Sequence, residues 1–330
     1  MRFEYIHNLR GVAILLIVIG HSIAALNDIS YLEYFRYAVR NSSVLFIMIG
    51  GFLFSAIAHK YSYKEYLISK SKIVLLPYVL MSIPAINIYM FKLKTNHAWV
   101  NMEDIYSSNI IYQYFYFMVT GAHLGPLWFV PIIFVFYLFF PVLNYLSINK
   151  RLYPAIAITA ITATYIGRPY LNSDMFESFV YFLPAYLWGI YLHKNQNLIF
   201  KLKADSAILF CFMSFLCLLC YYLFGYGSQI DLALKIFLFT IMFSLFLQYG
   251  NTKNRMLNKL AQVSFFIFFI HGYFIGLLKD VANRGYINVE PIIGFLIFFS
   301  VTMLCSMLAY YLATLCLPKS KMFLIGVSKG

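Results

Sequence analysis

The sequence predicts an all-α fold: a polytopic integral membrane helical bundle of about ten transmembrane helices, with both termini cytoplasmic. Three observations predict it. First, 62% of the 330 residues are hydrophobic and only 11% are charged, where soluble domains carry roughly 25% charged residues. Second, apolar runs of membrane-crossing length recur along the chain. Third, the basic residues between those runs alternate between rich and poor segments, as membrane topology requires. A chain this long and this apolar cannot keep its surface in water, so the lipid bilayer is its main solvent. The 29 Tyr and 34 Phe fit that solvent, because many stand near the ends of runs, at headgroup level.

The expected spans are roughly 9–26, 43–58, 72–91, 126–146, 153–167, 178–192, 207–223, 232–248, 263–278 and 293–317. Each is near the length that crosses ~30 Å of hydrocarbon at 1.5 Å per residue, the fifth and sixth being short. The stretch 105–125 is too apolar for a free loop and is expected to lie along the interface or re-enter the membrane. With the N-terminus inside, the inner segments hold 17 basic and 3 acidic residues and the outer segments 8 and 9, or +14 against −1. Loop Lys/Arg bias is the main cue to orientation, and a wrong span count would scramble it.

Several classes fall away. The net charge of +13 does not gather into one patch, so no nucleic-acid partner is expected. The five cysteines lie inside apolar runs, and the Cys217–Cys220 pair reads as small packing residues. No metal-ligand spacing of Cys and His occurs, so no metal is expected. Ser22–Ala24 loosely suits a signal-peptide cleavage site, but the first run carries Arg10 and His21, and cleavage is not expected. No internal repeat, linker or additional soluble domain is evident, so residues 1–330 read as a single transmembrane domain.

Ionisable residues inside a span are costly and need a reason. Arg10 and His21 are 11 residues apart, which on a helix places them about 20° apart on one face and about 16 Å apart along the axis. That face offers a permanent cation near the inner surface and a titratable base in the interior. The plain alternative is a snorkelling Arg10 and a His21 bonded to a neighbouring helix. His271 lies about 18 Å into its own span, close to the depth of His21, which suggests a shared polar cavity. Gly50 and Gly51 would let a ligand or another backbone approach closely, with helix packing the commoner explanation. Lys70 and Lys72 stand at the mouth of the third span, either as phosphate partners or as positive-inside residues. His123 and Trp128 open the fourth span, where they would line an acceptor groove or anchor the interface.

Taken together these stretches resemble the acyltransferase-3 family of membrane acyltransferases. Arg10, ten residues and His21 match its hallmark. Phe46–Leu53 is similar to its Phe-rich Ser-Gly-Phe stretch, and Lys70–Lys72 with Pro77-Tyr78 to its basic pair. Leu127–Val130 and Phe139–Pro141 resemble its Leu-Trp-Phe segment, and Ser264–His271 its late segment ending in His. There are departures. Gly50 stands where Ser is usual, Lys-x-Lys replaces Arg-x-Arg, and Phe268 or Phe269 replaces a Tyr. Lysine keeps the charge of the basic pair but loses the bidentate fork.

The resemblance implies transfer of an acyl group, usually acetyl, from acetyl-CoA or another acyl-CoA to a hydroxyl of a cell-surface or lipid-linked glycan, in a bacterial inner membrane. It casts His21 and His271 as catalytic, with His21 a general base or acyl acceptor. Arg10, Lys70 and Lys72 would hold the donor's phosphates, and the Gly50–Gly51 gap its pantetheine arm. A transporter or flippase for a lipid-linked sugar is the main alternative; inverted repeats would favour it, and none is seen.

Overall fold

Every regular element among the described residues is helical, as expected of a chain that must satisfy its backbone inside lipid. The computed structural model describes residues 3–26, 29, 32–201, 227–250, 254–287 and 289–326. The expected span 207–223, with Cys211, Cys217 and Cys220, lies outside them.

The α-helices are α1 (Glu4–Ala24), α2 (Glu33–Val39), α3 (Ser43–Ile57), α4 (Tyr63–Lys70), α5 (Leu76–Met90), α6 (Met102–Ser107), α7 (Ile110–Thr120), α8 (Phe129–Leu138), α9 (Phe140–Ile148), α10 (Leu152–Ile166), α11 (Met175–Lys194), α12 (Gln196–Lys201), α13 (Ser228–Tyr249), α14 (Arg255–Asn283) and α15 (Pro291–Cys316). Six helices among the described residues are long and apolar enough to cross a membrane, seven if one bent pair counts as a span. That pair is α8 and α9, which bend by 67° at Phe139. Pro141 explains the break: it has no N–H to give to the carbonyl four residues earlier, and its ring clashes with that carbonyl. Pro77 acts similarly on the third span. Its neighbouring turn Ser71–Leu75 widens to a π-helix between α4 and α5. The apolar stretch 105–125 forms most of α6 and α7, started by the Asn101 and Asn109 caps and, for α7, ended by Gly121 at φ +68°.

The chain divides into two compact units. The first holds Met1–Ala13, Ser43–Ser69 and Ile132–Asn258. Its centre is the crossing of α3 and α11. Gly51 and Gly189 meet the facing backbone so closely that a Cβ on either would stand 2.0 Å from a carbonyl oxygen, of Tyr186 and Met48 respectively. Aromatic rings fill the space around the crossing. Phe136 stacks on Tyr186 at 4.4 Å, and Phe54 and Tyr66 close on Phe140. Asp231 and Lys235, one turn apart on α13, are also buried here. Lys235 is only 2% exposed, and both residues have partners.

The second unit holds Ile14–Ser42, Lys70–Pro131 and Lys259–Gly330. Here α1, α14 and α15 share a buried cluster of Ala25, Ile275 and Phe298. The hydroxyl of Tyr273 on α14 reaches α5, donating to the Met81 carbonyl and accepting from the Ala85 N–H at 3.1 Å. Those two backbone groups are the i and i+4 partners of an ordinary helical bond. The tyrosine hydroxyl therefore engages the carbonyl and N–H of one rung of the α5 ladder, next to Pro84, where the proline already disturbs the helix.

Candidate functional site

The second unit gathers the interior histidines. α1 is unbroken from Glu4 to Ala24, so Arg10 and His21 keep their common face. Within the second unit the His21 ring lies 5.3 Å from the ring of His271, tilted by 54°. His271 is fully buried and His21 is partly exposed. Phe268, one turn before His271, packs on its ring at 5.9 Å and on Phe129 at 5.2 Å.

The hydrogen bonds of His271 fix its tautomer. Its Nδ1 lies 2.9 Å from the Ile267 carbonyl, which can only accept, so Nδ1 carries the proton. In the neutral ring Nε2 then holds a lone pair, and Nε2 has no hydrogen-bond partner among the described residues. His97 shows the contrast. Its Nε2 donates to the Ala122 carbonyl, while its Nδ1 accepts from the Trp99 and Val100 amides. A structural histidine is thus satisfied at both nitrogens, whereas His271 presents an unpartnered base.

His123 repeats the arrangement in the loop between α7 and α8. Nδ1 donates to the Phe117 carbonyl at 2.9 Å, and buried Nε2 has no partner among the described residues. The loop folds on itself where Gly121 leaves no Cβ to strike the backbone of Trp128. It then packs on α14 beside His271, since a Cβ on Gly272 would meet Pro126 and Leu124 at about 3 Å. His123, Trp128 and His271 are thereby brought to one part of the second unit.

Burial pushes the His123 pKa down to about 4, with its bond to Phe117 opposing the shift. Because the unfolded chain binds this proton better, the associated stability is fully present above pH ~6.5 and is lost as pH falls toward ~4, by about 3 kcal/mol in all. Thermal midpoints of the detergent-solubilised protein between about pH 7 and 4.5 should therefore fall less steeply in His123→Gln than in the wild type. Equal slopes would show that His123 is not the buried neutral group described.

The remaining sequence candidates fall elsewhere. Lys70 ends α4, half-buried and partnered, and Lys72 is exposed in the π-helical turn. Arg10, which belongs to the first unit, is partly buried and has a partner. The space left by Gly51 is taken by the backbone of α11, and a Cβ on Gly50 would make only ordinary contacts with Tyr186 and Ile133. Tyr273, two residues after His271, carries a structural role that its sequence does not announce. No group of three His, Cys, Asp or Glu among the described residues could hold a metal ion.

A family model described as an acyltransferase domain matches residues 3–311, nearly the whole chain and all the residues discussed above. No curated protein and no solved structure gives a significant match. The chain belongs to the acyltransferase-3 family of membrane acyltransferases.

Proposed function

We propose that this protein is an O-acyltransferase of the bacterial inner membrane. It moves an acyl group, acetyl in the first instance, from acyl-CoA to a hydroxyl of a cell-surface or lipid-linked polysaccharide. The observation that supports this reading is the His21–His271 pair, in which the buried Nε2 lone pair of His271 has no partner among the described residues. Its chemistry needs few parts. The acceptor hydroxyl gives its proton to the imidazole as its oxygen attacks the thioester carbonyl carbon. The C–S bond then breaks, and the departing thiolate takes the proton. Lys70 and Lys72 would pair with the donor's phosphates as point charges. Arg10 keeps the phosphate-binding role that the family resemblance implies. His123 and Trp128, in the loop packed beside His271, would contact the acceptor.

The test is labelled-acetyl transfer from acetyl-CoA to surface polysaccharide. It compares cells lacking the protein, cells expressing it and cells expressing His21→Ala at equal membrane abundance. Label that appears with the wild type and vanishes with the variant is the expected result. No label from the wild type, with glycan export altered instead, would replace this reading with a transporter.

A further inference from the structure

A second set of unpartnered atoms lies beside the histidine pair. Ser22 on α1 and Thr302 and Ser306 on α15 are fully buried, and none of their hydroxyls has a hydrogen-bond partner among the described residues. Hydroxyls in helices commonly bond back to the carbonyl three or four residues earlier. Ser264 does so to Ala261, Thr240 to Ile236, and Thr314, on the same helix as Thr302, to Tyr311. A buried hydroxyl left unpaired loses the hydrogen bonds it would make to water and gains none in return. Four stand so in the second unit, Ser82 on α5 being the other, and the three on α1 and α15 call for a ligand.

Packing contacts fix their level. Ala25, Ile275 and Phe298 meet in one cluster, and His21 meets His271, so α1 and α14 run parallel in matching register. Tyr310 on α15 meets Phe266 on α14 at 5.8 Å, so α15 runs antiparallel to α14. Moving one turn, about 6 Å, from the cluster toward Phe266 reaches His21 on α1, His271 on α14 and Thr302 on α15. Ser22 adjoins His21 in the same layer, and Ser306 lies one turn further along.

This layer therefore holds an imidazole lone pair that needs a donor, and hydroxyl hydrogens that need an acceptor. The complementary ligand is a hydroxyl beside a carbonyl oxygen, the two reacting groups of an acyl transfer. Resting on the acyl-transfer reading above, we infer that Thr302 and Ser22 are the hydrogen-bond donors to the acyl carbonyl oxygen. As the acceptor oxygen bonds to the carbonyl carbon and its proton passes to Nε2 of His271, the C=O electron pair moves onto oxygen. That oxyanion is held by the two hydroxyls. Collapse restores the C=O bond and expels the thiolate, which takes the proton back from the imidazolium. In a water-excluded layer such preset donors favour the charge as it develops, rather than the neutral carbonyl.

The experiment measures thiol release from acetyl-CoA by purified protein, with membranes of the deficient cells supplying the polysaccharide. Thr302→Val and Ser22→Ala should each lower kcat by about 10²-fold, with little change in KM for acetyl-CoA. Both should hold or raise the thermal midpoint, because each deletes an unpaired buried hydroxyl. Thr302→Ser, which keeps the hydroxyl, should recover most of the rate. A Thr302→Val enzyme with wild-type kcat would overturn the inference and leave the acyl-transfer reading standing. So would a rate that falls only in step with thermal stability, or that Thr302→Ser fails to recover. No thiol release by the wild type would remove the acyl-transfer reading, and this inference with it.

Discussion

Replacing His271 by alanine is expected to lower the rate of acyl transfer by about 10²- to 10⁴-fold, the contribution of a positioned general base. The expectation comes from the tautomer rather than from burial alone. The Ile267 carbonyl holds the proton on Nδ1, so Nε2 is left as the basic atom, and it is unpartnered among the described residues. His271→Gln should be nearly as slow, because an amide can donate to Ile267 but offers no comparable base. His21→Ala should have a similar effect. The double variant should be little worse than either single one, since groups that act as a unit lose their function together. Initial rates of thiol release from acetyl-CoA, at matched amounts of folded protein, check the series. Retention of the wild-type rate in His271→Ala would reduce this histidine to a packing residue. Additive losses at the two positions would mean that the rings act independently.

The second large effect falls on stability. Gly51→Ala and Gly189→Ala each place a methyl group 2.0 Å from a carbonyl oxygen of the facing helix. Carbon and oxygen do not approach closer than about 3.3 Å without strain, and neither obstacle is a side chain that can swing away. Helices α3 and α11 would have to part by more than an ångström, loosening the aromatic packing around Tyr186. Core overpacking typically costs about 1–3 kcal/mol, and a backbone obstacle puts these variants at about 3 kcal/mol or above. Gly50→Ala is the control. Its methyl would sit 3.5 Å from a Tyr186 ring carbon, and the gain in helix propensity, about 1 kcal/mol, should leave the protein as stable as the wild type or more so. Thermal midpoints by size-exclusion chromatography of heated samples would separate the neighbours. Similar midpoints for Gly50→Ala and Gly51→Ala would show that the crossing has slack.

The helical, membrane-embedded character was legible in composition because hydrocarbon imposes both apolarity and length on whatever crosses it. Nine of the ten expected stretches coincide with helices or helix pairs, though only six, or seven with the bent pair, are long and apolar enough to cross a membrane; the other, 207–223, falls outside the described residues. The bend at Phe139 and the π-turn before Pro77 were hidden, because hydropathy averages over a window and takes no account of which N–H is missing. The Arg10–His21 spacing was readable, since two costly residues in one run stand out. Ser22, Thr302 and Ser306 did not stand out, because a hydroxyl in an apolar helix ordinarily bonds its own backbone and its failure to do so is visible only in three dimensions. Gly50 and Gly51 look alike in sequence. Only the crossing angle of α3 and α11 decides which of them the neighbouring backbone touches.

The bond of Tyr273 to α5 makes one backbone amide a reporter of tertiary structure. In an ordinary helix the exchange of a mid-helix N–H with solvent deuterium follows the fraying of that helix alone. The Ala85 N–H also donates to a side chain from α14, two residues from His271. Its exchange therefore responds to the contact between α14 and α5 as well as to the fraying of α5. A ligand that settles against His271 and steadies α14 would slow exchange at Ala85 while leaving the rest of α5 unchanged, so occupancy of the site can be read from a proton that the ligand never touches.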